Sequence, residues 1–144
     1  MEYTSVFDII GPIMVGPSSS HTAGALGIAK FARKQFGKKP KHIKITLYNS
    51  FAKTYKGHGT DVALVGGILD YDTDDVRIPL ALEAIKKANI EIEFVLSNTK
   101  VSHPNTVKLV LDADGKTLTV IGISLGGGSF QILLEKWNDN DDDI

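Results

Sequence analysis

Between Thr22 and Phe36 the apolar or small residues Leu26, Ala29, Ala32 (or the alkyl stem of Arg33) and Phe36 return every three or four positions, the spacing that lines one face of a helix. Gly37 follows as a C-terminal stop. The pattern then changes period. Ile43, Ile45 and Leu47 alternate with Lys44, Thr46 and Tyr48, as a strand with one buried face requires. Ser50 to Lys56 and Thr60 to Leu69 read as two short helices, with Thr60 placed to cap the second and Asp61 favourable in its first turn. Tyr71 to Asp75 is an acidic loop, and Ile78 to Ala88 reads as a helix that tolerates Pro79 in its first turn.

The remainder has the composition of sheet. Ile90 to Leu96, Thr106 to Leu111 and Thr117 to Ile123 are rich in β-branched residues, and Asp114-Gly115 is a hairpin signal between the last two. Gly126-Gly127-Gly128 breaks the pattern before a final strand or amphipathic segment from Phe130 to Trp137. Helices around one early strand, followed by a run of antiparallel strands, predict an α+β fold with helices packed on a mainly antiparallel sheet. Met1 to Gly11 is read as a short helical turn docking on the core. The domain is expected to occupy residues 1–137, with 138–144 as an acidic tail or the start of a linker, since Asn138 to Asp143 has nothing to bury.

Composition changes this picture mainly by exclusion. A chain of 144 residues fits one domain. A net charge of -1, from 16 basic and 17 acidic residues, offers no positive field for a nucleic-acid backbone. No apolar run approaches the roughly 20 residues of a membrane span, and the N-terminus has no basic segment followed by an apolar one, so a cytoplasmic protein without membrane or nucleic-acid partners is expected. There are no cysteines, which removes disulfides, thiolate nucleophiles and any cluster ligated by this chain's own thiolates.

Several short segments carry candidate chemistry. Ser18, Ser19 and Ser20 precede the first helix, so their hydroxyls and the free N–H groups of its first turn converge on a point that suits an anion such as a carboxylate; one of them as a simple N-cap is the plain alternative. His21 and Thr22 lie at the same helix start, where the positive end of the dipole favours a neutral imidazole, although packing alone explains many such histidines. His58 stands between Gly57 and Gly59, a setting that presents a ring to a ligand or merely forms a turn, and Thr60 could orient the ring or a substrate. His103 and Asn105 flank Pro104 at a strand entrance, as a polar turn or as part of a pocket. Ser124-Leu125-Gly126-Gly127-Gly128 lacks the lysine and spacing of a phosphate loop. The histidines are not spaced as a zinc site, and Asp72, Asp74 and Asp75 lack the glycine and distal glutamate of a calcium loop.

Taken together, Ser5 to Pro12, Gly16-Pro17-Ser18-Ser19-Ser20-His21-Thr22-Ala23-Gly24-Ala25, Gly57-His58-Gly59-Thr60-Asp61, His103-Pro104-Asn105-Thr106 and Ser124 to Gly128 closely resemble, in order, the motifs of the beta subunit of iron-sulfur-dependent bacterial L-serine dehydratases. The resemblance implies a domain akin to the allosteric substrate-binding domain of some D-3-phosphoglycerate dehydrogenases. It also implies a [4Fe-4S] cluster ligated by a cysteine-bearing alpha subunit and not by this chain, assembly as a homodimer or heterotetramer, and conversion of L-serine to pyruvate and ammonia in serine catabolism without pyridoxal phosphate. Carried onto this chain, it implies His58 as the base that removes the α-proton, with Thr60 supporting it and His21 also in the catalytic set. Ser18, Ser19, Ser20 and Thr22 would hold the substrate carboxylate and amino groups, with His103 and Asn105 in the same pocket or at an effector site. Many such subunits continue into a small ligand-binding ACT domain, where this sequence runs into its acidic tail. Two other readings remain beside it: a regulatory module that binds serine or another small carboxylate without catalysing anything, and a structural dimerisation domain.

Overall fold

A computed structural model describes residues 19–48, 51–52 and 59–139. Among the described residues, beside the helical pair 51–52, the elements that pack on a five-stranded sheet are α1 (Ser19–Phe36), β1 (His42–Tyr48), α2 (Thr60–Ile68), the 3-10 turn Ile78–Leu80 running into α3 (Ala81–Lys87), β2 (Glu91–Ser97), β3 (Thr106–Ala113), β4 (Lys116–Gly126) and β5 (Ser129–Asp139). The α+β class read from the sequence is the observed one.

The strand order is β2-β1-β3-β4-β5. The pairs β1–β3, β3–β4 and β4–β5 are antiparallel, as the alternating patterns and the turn at Asp114-Gly115 led one to expect. Both turn residues have positive φ, 55° and 81°, the backbone that matches a two-residue hairpin to the twist of its strands. The second strand differs from expectation: β2 does not join the antiparallel run but pairs parallel with β1, Ile45 opposite Phe94. A parallel neighbour needs a crossover, and α2 and α3 supply it between β1 and β2. The helix expected over Ile78 to Ala88 is also divided, because Pro79 has no N–H to donate and the first turn tightens to 3-10 around it.

Alternation decides what each strand buries. Ile43, Ile45 and Leu47 of β1, Val107, Leu109 and Leu111 of β3 and Leu118 and Val120 of β4 are fully enclosed beneath the helices. Helix α1 lies over this face, principally against β4 and β5, and its far flank packs on α2. Its fit depends on missing side chains. A Cβ on Gly67 of α2 would fall 2.4 Å from the Leu26 carbonyl oxygen, and one on Gly122 of β4 would fall 2.9 Å from Ile28, which is fully buried. These close approaches bring the backbones of α1, α2 and β4 together and fix where α1 begins relative to the end of β4.

Candidate active site

Helix α1 begins at Ser19, so Ser19 and Ser20 lie inside its first turn instead of preceding it. Serine in a helix costs only about 0.5 kcal/mol relative to alanine, and nothing after Pro17 opposes the earlier start. Ser19, Ser20 and His21 therefore lie in the first described turn of α1, at the positive end of its dipole. Thr22 is buried and His21 half-buried.

His21 is where three segments far apart in sequence meet. Its Nδ1 lies 3.0 Å from Ser124 Oγ near the end of β4. Its Nε2 lies 3.5 Å from Asn105 Nδ2, just ahead of β3. The two partners are tied to each other, for the Ser124 N–H donates to the Asn105 carbonyl at 3.0 Å. One residue on, the Thr106 hydroxyl donates to the His103 carbonyl at 2.6 Å and closes the turn that carries Asn105. The His103 side chain is on the surface.

Glycine makes this meeting possible in two ways. A Cβ on Gly24 would stand 2.3 Å from Ser124 Oγ and 3.0 Å from the Ser129 carbonyl oxygen, so the serine hydroxyl occupies space that any other residue at 24 would claim. Gly126, Gly127 and Gly128 have φ of 94°, 62° and 81°, a run of left-handed backbone suited to glycine. It turns β4 into β5 beside the imidazole, the position of a Cβ on Gly126 being 3.6 Å from His21 Cε1. The Ser124–Gly128 segment thus forms a wall of the His21 site.

Thr60 does not cap α2 as its position had led one to expect. The N-cap is Gly59 in left-handed geometry, φ 75°, and no side chain bonds there. Thr60 is the first residue with helical geometry, one step too late to serve. Its hydroxyl is buried and has no hydrogen-bond partner among the described residues. Asp61, favourable in the first turn as expected, accepts the Val62 N–H at 2.8 Å. Ser18 and His58 lie outside the described residues, as do the N-terminal turn expected over Met1 to Gly11 and most of the helix expected over Ser50 to Lys56.

The donors among the described residues do not fit a metal cluster. The sequence has no cysteine, and among the described residues no group of three or more His, Asp or Glu side chains is placed to hold a metal. The acidic loop is committed elsewhere: Asp72 bonds Lys30, and Asp75 pairs with Arg77 at 2.7 Å. The hydrogen bond from Arg77 holds the Asp75 carboxyl below its ordinary range. No helix among the described residues is long and apolar enough to cross a membrane.

Residues 5–116 match the model of the serine dehydratase beta chain family. The chain belongs to that family. Among its relatives it is similar to a probable L-serine dehydratase beta chain of Bacillus subtilis (strain 168), 52% identical over 132 residues that make up 92% of this chain and 60% of the relative. An L-serine dehydratase beta chain of Peptoniphilus asaccharolyticus is 47% identical over 131 residues, 90% of this chain and 59% of the relative. The chain therefore spans about 60% of the length of the beta chains it matches. A further beta chain, from Anaerotignum propionicum, shares 76% identity over 25 residues, 86% of that sequence.

Proposed function

We propose that this chain is the beta half of an L-serine dehydratase, an L-serine ammonia-lyase that releases pyruvate and ammonia. The observation that carries the reading is the convergence of His21, Asn105 and Ser124 at the start of α1, since packing alone would not require a ring and two polar side chains from three segments at one helix terminus. The relatives named as L-serine dehydratase beta chains supply the substrate.

In this reading the serine carboxylate lies against the first-turn N–H groups of α1, with the hydroxyls of Ser18, Ser19, Ser20 and Thr22 and the polar groups of Asn105 and His103 completing its surroundings. His21 Nε2 accepts a hydrogen bond from the substrate amino group. His58 takes the α-proton, and the hydroxyl of Thr60, two residues on and without a partner among the described residues, orients the ring or the substrate. A [4Fe-4S] cluster would act as a Lewis acid on the leaving hydroxyl. Because this chain has no cysteine, the cluster is assigned to a cysteine-bearing alpha subunit, and the chain alone is inactive. The working enzyme is then a homodimer or heterotetramer in the cytoplasm.

The test is anaerobic mixing of this chain with a cluster-bearing alpha chain, followed by pyruvate formation from L-serine. Turnover that needs both chains is expected, and His58→Ala in an intact complex should lower it by about 100-fold or more, the usual scale for a general base. Absence of turnover in the reconstituted complex overturns the function; near-normal turnover in His58→Ala removes His58 from the role of base.

A further inference from the structure

We infer that Asn105 and Ser124 are positioning residues that together hold His21 in the Nδ1–H tautomer, Asn105 by its amide hydrogens beside Nε2 and Ser124 by accepting at Nδ1, so that Nε2 is presented as an acceptor to the amino group of the substrate. The inference rests on the proposed function for its substrate, but its geometry is independent of it.

A neutral imidazole has one donor nitrogen and one acceptor, and its partners select which is which. Asn105 Nδ2, beside Nε2, has only hydrogens to give, so Nε2 must carry the lone pair. The ring hydrogen then resides on Nδ1 and is donated to Ser124 Oγ at 3.0 Å. The Asn105 contact is long, 3.5 Å, and is the one that an incoming amine would replace; the Ser124 bond is short and remains. An ammonium or amine is a donor and meets an acceptor only if the tautomer is already set.

Ser124 is well placed to keep it. It is 6% exposed and bound through its N–H to the Asn105 carbonyl, and it stands on β4 between α1 and β5. Its Oγ fills the space left open by Gly24. Packing would explain a small residue at 124, but alanine would satisfy packing equally well. What alanine lacks is the acceptor for Nδ1–H.

The variant Ser124→Ala separates the two roles. Two-bond proton–nitrogen correlation spectra of the nitrogen-labelled 144-residue chain report which ring nitrogen of His21 carries hydrogen, while the amide spectrum reports the fold. The wild-type chain is expected to show Nδ1–H, and Ser124→Ala, which leaves only the long Asn105 contact to oppose the intrinsic preference of imidazole, to shift part of the population to Nε2–H. Asn105→Asp perturbs the other side of the ring without touching Ser124: an acceptor there should place hydrogen on Nε2. In the complex with the alpha chain, Ser124→Ala should lower kcat/KM for L-serine by about 10–100-fold, the scale at which a lost orienting partner is felt. Nε2–H in the wild-type chain, or an undiminished Nδ1–H population in folded Ser124→Ala, overturns the assignment, as does a bare Nε2 in Asn105→Asp. If the tautomers behave as expected but the wild-type complex does not consume serine, the proposed function falls and the role of Ser124 toward His21 stands.

Discussion

Helix α1 and strands β4 and β5 share two ends, and the two are finished differently. At the C-terminal end of α1, Phe36 stacks on Trp137 of β5 with ring centroids 5.6 Å apart and planes 8° from parallel. There Asp114, in the β3–β4 turn, receives Lys38 and Lys41 on its two oxygens at 2.9 Å each. Its charge is answered, and the contacts there need nothing further. At the N-terminal end of α1 lies the positive end of its dipole, the contact at Nε2 of His21 is long, and near the crossover a threonine hydroxyl is buried with no partner among the described residues. The same three elements are thus closed at one end and chemically open at the other. A group left short of partners in a folded protein lowers stability locally and is retained where a ligand completes it.

The largest expected break in this comparison comes from Gly24→Ala. The added methyl group would overlap Ser124 Oγ, so the variant should lose about 1–3 kcal/mol in denaturant unfolding and, in the reconstituted complex, most serine turnover. Trp137→Ala at the other end should cost about 0.5–1.5 kcal/mol for the stack and leave KM for serine unchanged, since no site group touches it. If Trp137→Ala also raised KM, the two ends would not be separable. The smallest effect belongs to Asp114. The hydrogen bond from Lys41, and then that from Lys38, lower its pKa to about 2. Because the folded pKa lies below the unfolded one, the stabilisation is present above the ordinary carboxylate range and disappears as pH falls through about 2. Thermal melts from pH 5 to pH 2 should show a slight acid-side loss that Asp114→Asn abolishes and high salt reduces, the carboxylate being exposed on the surface.

The elements were legible where a period was sustained. Leu26, Ala29, Ala32 and Phe36 announce α1, and Leu109 and Leu111, with Leu118 and Val120, announce β3 and β4; each is buried as its spacing requires. The parallel pairing of β2 was not legible, because β-branched residues fit either ladder and direction is set by the crossover. In the site, His21 and Asn105 were visible as polar residues beside helix and strand entrances, but that they meet was not, since their contact spans 84 positions. Ser124 was read only as the start of a weak glycine motif. A signal did exist: counting by twos from Leu118 and Val120 through Gly122 places Ser124 on the face beneath the helices, where a polar side chain needs a partner. Glycine at 24 showed no signal of its own in the helical pattern, because the reason for it lies on another strand.

The bond between His21 and Ser124 spans 103 positions, and this bears on how the protein is made. During synthesis the start of α1 emerges early, whereas the acceptor for its imidazole leaves the ribosome about a hundred residues later. At roughly 5–20 residues per second, the histidine waits several seconds for its partner. A peptide carrying only the serine-rich segment has the family's lettering without a second wall for the ring. The pocket needs both ends of that separation: it is complete only once β4 lies beside β3 and the glycine turn passes the imidazole.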